Sequence, residues 1–236
     1  MTKTTETQLA LTRAGLVEGM RLILPFVPGV VIFASAFGAA AVQKGLTLGQ
    51  ALFMSGAVYA GAAQLVSLEL WTRHWTLASL LAITAVAATV NARMVLMGAA
   101  LQPWLKGTPT PLNAVNLFFF TDANWITATR YQMKGGTDLG VMLGGGLFLW
   151  VVWVAATLPG YLLGSLMRDP KVVGFDLVMP IVFTAMAIPL WKGRRDSIAW
   201  GVAGVVALTV SQLFSGYAFI VAGALAGALA GAFIDD

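Results

Sequence analysis

Long apolar runs alternate with short polar punctuation along nearly the whole chain. Runs near residues 22–42, 50–71, 76–101, 139–166, 173–191, 196–212 and 216–234 are each long enough, as helices, to cross about 30 Å of hydrocarbon. The stretch 111–131, PLNAVNLFFFTDANWITATRY, has the length as well but carries Asn113, Asn116, Asp122 and Asn124. It crosses only if that face is hidden from lipid, because an unpaired polar side chain in hydrocarbon is costly. The pattern predicts an all-α polytopic transmembrane helix bundle of about eight spans, with seven as the alternative. Ahead of the first run, Thr7 to Arg21 reads as an interfacial helix with Leu9, Leu16, Val17 and Met20 on its apolar side, or as a solvated tail.

Composition agrees with a bilayer solvent. The chain is 58% hydrophobic and 10% charged, more apolar surface than 236 residues can bury in a soluble core. Its net charge of +4 comes from basic residues clustered between apolar runs, so cytoplasmic retention of loops explains it better than nucleic-acid binding. Charge also arbitrates the span count. With eight spans and a cytoplasmic N-terminus, Arg73, Arg130, Lys134, Lys192, Arg194 and Arg195 fall inside, and the outer loops hold only Lys44, Lys106, Arg168 and Lys171. Leaving 111–131 uncrossed would move the Lys192, Arg194, Arg195 cluster outside. A multi-pass protein of the cytoplasmic membrane, in one transmembrane domain over 1–236, follows from this. With no cysteine there is neither a disulfide framework nor a thiolate metal site.

The halves 19–131 and 139–234 echo each other. Pro28, Gly29 and Gly38 punctuate the first span of one, Pro159, Gly160 and Gly164 the first span of the other. Matching Pro/Gly interruptions are the sequence trace of transporter repeats with discontinuous helices, so these six positions are expected hinges or helix breaks.

Ionisable residues at mid-depth are functional candidates by default. Arg93 and Asp122 each lie about eight to eleven residues from the outer ends of consecutive spans, which at about 1.5 Å per residue puts them at similar depth. They are expected to pair, either as structural glue or as a binding site. Asn91 stands about 200° from Arg93 on a regular helix, so both face one cavity only if the helix unwinds there. Ala57, Gly61, Gln64 and Ser67 share a helical face; close helix packing explains the small residues but not the amide. Glu69 reads as an ion-pair partner of Arg73, and Asp176 as a helix cap.

These positions carry a resemblance. AGAAQ at Ala60 to Gln64, VNAR from Val90 with the small residues up to Ala100, Thr121-Asp122, GFD at Gly174 to Asp176 with Pro180 following, and the Pro-Gly and Phe-Gly elements of the first span resemble the AzlC family of branched-chain amino acid permeases. The family's form is closer to NLRH after the asparagine and often has Glu after Thr-Asp, where this chain has Ala92, Met94 and Ala123. The sole histidine, His74, lies in a loop, so no intramembrane imidazole relays protons. The resemblance implies a secondary transporter subunit that exports leucine, isoleucine, valine or methionine, working with a small AzlD-type membrane subunit and without a cofactor. Under it, Arg93 takes the substrate carboxylate, Asp122 the ammonium or a coupling proton, and Asn91, Gln64, Gly61 and Thr121 complete the site.

The rival classes are weaker. No HExxH, no cysteine and no in-span histidine are present, and Asp122 and Asp176 differ in depth, which argues against an enzyme. No Walker motif is present either. A channel or a non-transporting scaffold subunit stays open as the alternative, and so do substrate, direction of transport, coupling ion and oligomeric state.

Overall fold

The computed structural model describes residues 10–72, 74–166, 184, 193–214 and 218–234. Among these the only regular structure is helical: α1 (Arg13–Ile23), α2 (Val27–Gln43), α3 (Leu48–Val58), α4 (Gly61–Glu69), α5 (Leu77–Leu105), α6 (Thr110–Phe118), α7 (Asp122–Met133), α8 (Gly140–Leu166), α9 (Arg194–Leu213) and α10 (Ala218–Ile234). Three stretches, Arg13–Gln43, Leu77–Leu105 and Gly140–Leu166, are long and apolar enough to cross a membrane as continuous helix. The chain divides into two compact units, Met1–Gly61 with Ala92–Met167, and Ala62–Asn91 with Arg168–Asp236. Each unit draws on both of the sequence halves 19–131 and 139–234. The expected span at 173–191, with Asp176, falls outside the described residues except for residue 184, and Arg73 falls outside them too.

In the first unit α1 and α2 run parallel to α8 along a seam of glycines. A Cβ on Gly19 would lie 2.1 Å from the Val141 carbonyl oxygen, one on Gly38 2.2 Å from that of Thr157, and one on Gly160 2.1 Å from that of Ser35. The helices therefore touch backbone to backbone, as small residues permit inside membranes. Asp138 fastens the N-terminal ends: its carboxylate accepts from the Thr12 hydroxyl, from Thr12 N at 3.2 Å and from Gly140 N at 2.8 Å. Further along, Ser55 and Thr157 hydroxyls share a 2.7 Å bond between α3 and α8, and Tyr161 Oη donates to the Leu46 carbonyl at 2.9 Å.

This seam corrects the expected hinges. Helix α2 is continuous through Gly29 and Gly38, and α8 through Pro159, Gly160 and Gly164. Gly38, Gly160 and Gly164 are there for interhelical approach, not for a break. Pro28 occupies the first turn of α2, where a missing N–H costs nothing, and the irregularity of that span is a 3₁₀ turn at Leu24–Phe26 just ahead of it. The N-terminal helix runs over Arg13–Ile23. Its buried face is Gly15, Gly19 and Ile23, an i, i+4, i+8 stripe against α8, while Val17 is 47% exposed.

Two predicted spans are interrupted at places the punctuation did not mark. Between α3 and α4, Tyr59 takes a left-handed backbone (φ 44, ψ 44) while buried. For a bulky residue that conformation costs about 1–3 kcal/mol and persists only when the surroundings enforce it. Between α6 and α7, Phe119 to Thr121 leave the helix and Thr121 restarts it as an N-cap, its hydroxyl accepting from Asn124 N at 3.3 Å. Helix α5, by contrast, passes unbroken through Asn91 and Arg93, so the unwinding considered there is absent.

Since α1–α2 and α8 run in the same direction, Gln43 and Gly140 lie at opposite ends of the pair. If both cross a membrane, the chain between them crosses an odd number of times. In the second unit α9 and α10 form an antiparallel hairpin on small residues, with Gly223 against Ala203 and Ala207, and Gly227 against Ala199 and Ala203.

Candidate functional site

The break between α6 and α7 organises the site. Thr121, in extended conformation, turns the chain so that Asp122 becomes the first residue of α7, its negative charge in the first turn, at the positive end of a 12-residue helix. From α5 the Arg93 guanidinium reaches over, with Nη2 3.1 Å from Asp122 Oδ2. The two side chains are 33% and 39% exposed, so the pair is open on one side and is no sealed core bridge. Arg93 Nε is buried and meets no hydrogen-bond partner. A guanidinium has five N–H donors and Asp122 engages one corner of it, leaving donors for a second carboxylate.

Asn124 fixes the break. It is fully buried, and its Nδ2 donates to the Met142 carbonyl of α8 at 3.0 Å and to the Phe119 carbonyl at 3.5 Å. The approach needs Gly146, where a Cβ would lie 2.5 Å from the Phe119 oxygen and 2.7 Å from Asn124 Nδ2. Trp150, one turn further along α8, touches both interruptions of the unit. Its Nε1 donates at 2.9 Å to the Gly56 carbonyl, one of the acceptors orphaned at the end of α3. Its ring meets Phe119 edge-on, with centroids 5.9 Å apart.

Of the residues expected at the site, the structure brings together Arg93, Asp122 and Thr121. Gly61 sits against the rings of Trp153 and Phe33, where a Cβ would come within 2.5 Å and 3.0 Å, so its small size serves packing. Gln64, fully buried on α4, and Asn91 belong to the second unit. Asn124, Trp150 and Tyr59 carry structural duties here that the sequence reading did not assign. Asn124 had a signal, since Thr121-Asp122 followed by Asn124 is a helix start in the middle of an apolar run. Trp150 and Tyr59 had none, because aromatic residues are ordinary in membrane helices.

Family comparison bears on the same region. The family model described as AzlC protein matches residues 25–167, from the 3₁₀ turn ahead of α2 to the end of α8. The chain belongs to the AzlC family. Curated relatives of this chain include an uncharacterized membrane protein of Helicobacter pylori, 27% identical over 81% of this chain and 82% of the relative. Another, from Archaeoglobus fulgidus, is 28% identical over 92% of both chains. Inner membrane protein YgaZ of Escherichia coli is 29% identical over 89% of this chain and 86% of its own length. No solved structure matches. The matched segment contains the ion pair, both interrupted spans and the α2–α8 part of the glycine seam.

Proposed function

We propose that this AzlC-family membrane protein is the large subunit of a secondary transporter that exports branched-chain amino acids across the cytoplasmic membrane. The observation that carries the reading is the Arg93–Asp122 pair at the head of a half-helix, in an interrupted span of an otherwise apolar chain. Half-helix ends at mid-depth are how carriers bind charged groups without water. A zwitterion suits the pair. When an amino acid inserts, its carboxylate takes Arg93 and its ammonium takes Asp122, so two ion pairs replace one and net charge stays zero throughout. Thr121 holds Asp122 in register, and an apolar side chain finds Phe, Val, Leu and Met on the surrounding helices. Asn91 and Gln64 are proposed to orient the substrate, and a proton on Asp122 is the proposed coupling alternative.

The topology proposed with it has eight spans and a cytoplasmic N-terminus. The parallel seam supports it: with 50–71 and 76–101 crossing, an odd number of crossings between Gln43 and Gly140 requires 111–131 to cross as well. A small AzlD-type subunit is the proposed partner. Counterflow of labelled leucine in proteoliposomes, with and without that subunit, tests the reading. Saturable exchange driven by unlabelled leucine, reduced to background by Asp122→Asn, is the expected result. Conductive, non-saturating flux would favour a channel, and no flux in either preparation a scaffold.

A further inference from the structure

The hairpin made by the end of α5 and the start of α6 leaves a groove that substrate binding does not use. It is a cavity of about 360 Å³, walled by Gly98, Gln102, Leu105 and Leu117 and fringed at its mouth by Lys106, Thr108 and Asn113. Gly98 lies about 10 Å along the helix from Leu105, so the wall, apolar but for Gln102, runs well into the hydrocarbon. At its deep end a Cβ on Gly98 would meet nothing within 4 Å. The mouth sits elsewhere in the bilayer. A 29-residue helix is about 44 Å long and outreaches about 30 Å of hydrocarbon, so Lys106, directly after its last residue, stands among the headgroups.

The polar groups at the mouth each keep an atom without a partner. Lys106 meets no carboxylate among the described residues. Thr108 Oγ1 is buried without a hydrogen bond. Asn113 donates Nδ2 to the Thr108 carbonyl at 3.4 Å, which leaves Oδ1 buried with no donor. One cation and one hydroxyl donor suit phosphate oxygens, and one spare acceptor suits a hydroxyl next to that phosphate. We propose that this groove binds an anionic phospholipid with a hydroxylated headgroup. Its phosphate rests on Lys106 and Thr108, its headgroup hydroxyl donates to Asn113 Oδ1, and an acyl chain lies along Leu105 and Leu117 over Gly98. A free amino acid fits less well, because the trough is open along its side and its apolar length exceeds a small side chain. The proposal is independent of what the protein transports.

Native mass spectrometry of the full chain in micelles doped with phosphatidylglycerol or phosphatidylcholine tests it. The wild type should retain one phosphatidylglycerol more tightly than phosphatidylcholine. Lys106→Gln should weaken phosphatidylglycerol about fivefold and narrow the gap between the two lipids. Gly98→Phe, which projects into open space, should abolish tight binding of both while leaving the helical circular dichroism intact. Unchanged retention in both variants would overturn the proposal. So would equal affinity for the two lipids in the wild type, or a co-purified polypeptide that fills the groove and excludes lipid.

Discussion

The glycine seam of α1–α2 with α8 and the interrupted span α6–α7 lie in one unit and meet the membrane problem in opposite ways. Along the seam, backbones touch and most polar side chains pair off: Ser55 with Thr157, Ser35 with the Ala156 carbonyl, Tyr161 with the Leu46 carbonyl, with Trp153 Nε1 the buried donor there that meets no partner. In the interrupted span, buried atoms of Asn113, Asn116, Asn124, Trp125 and Thr129 reach no partner, and a charged pair stands half open beside them. A buried polar atom left unsatisfied costs about 1–3 kcal/mol, so a chain that needed only to pack would not concentrate them in one helix pair. The seam packs, and the interrupted span keeps the unsatisfied polar groups that the proposed binding site would use.

That contrast can be broken by substitution. The largest expected effect is at the seam: Gly160→Val places a side chain against the Ser35 carbonyl and should destabilise by more than about 3 kcal/mol, seen as loss of monodisperse protein on size exclusion. Asp122→Asn comes next in consequence but not in stability. The fold should persist, by thermal melting, while leucine affinity falls about 10- to 100-fold for loss of a charged hydrogen bond. Asn124→Leu should have a mixed effect, removing the bonds to Met142 and Phe119 at a cost of about 1–3 kcal/mol and lowering exchange rate by freeing the break. The smallest effect sharpens the comparison. Gly29 is exposed within continuous helix, so Gly29→Ala should be neutral or stabilising by up to about 1 kcal/mol without slowing transport. A hinge at Gly29 would instead lose activity.

Much of this was legible in the sequence, for physical reasons that also mark where legibility ends. Apolar runs report helices because lipid admits little else, and α2, α5, α8, α9 and α10 fall where the runs are. Arg93 and Asp122 stood out because mid-depth charges are rare, and depth alone brought them level. Glycine misled, since the same residue permits a break and permits close approach; Gly38 and Gly160 do the second, and only the partner helix reveals it. Tyr59 was illegible because its left-handed backbone is imposed by surroundings and has no local sequence cause. The start at Thr121-Asp122 was readable but hidden by the expectation that a span is one helix.

The central claim is that Arg93 and Asp122 divide a zwitterion between them. Competitive binding of leucine, leucinamide and 4-methylpentanoate to the wild type and to Arg93→Ala measures it most directly. Arg93→Ala should weaken leucine and 4-methylpentanoate together, about tenfold or more, and leave leucinamide unchanged because it offers no carboxylate. Equal losses for all three ligands, or none, would contradict the account.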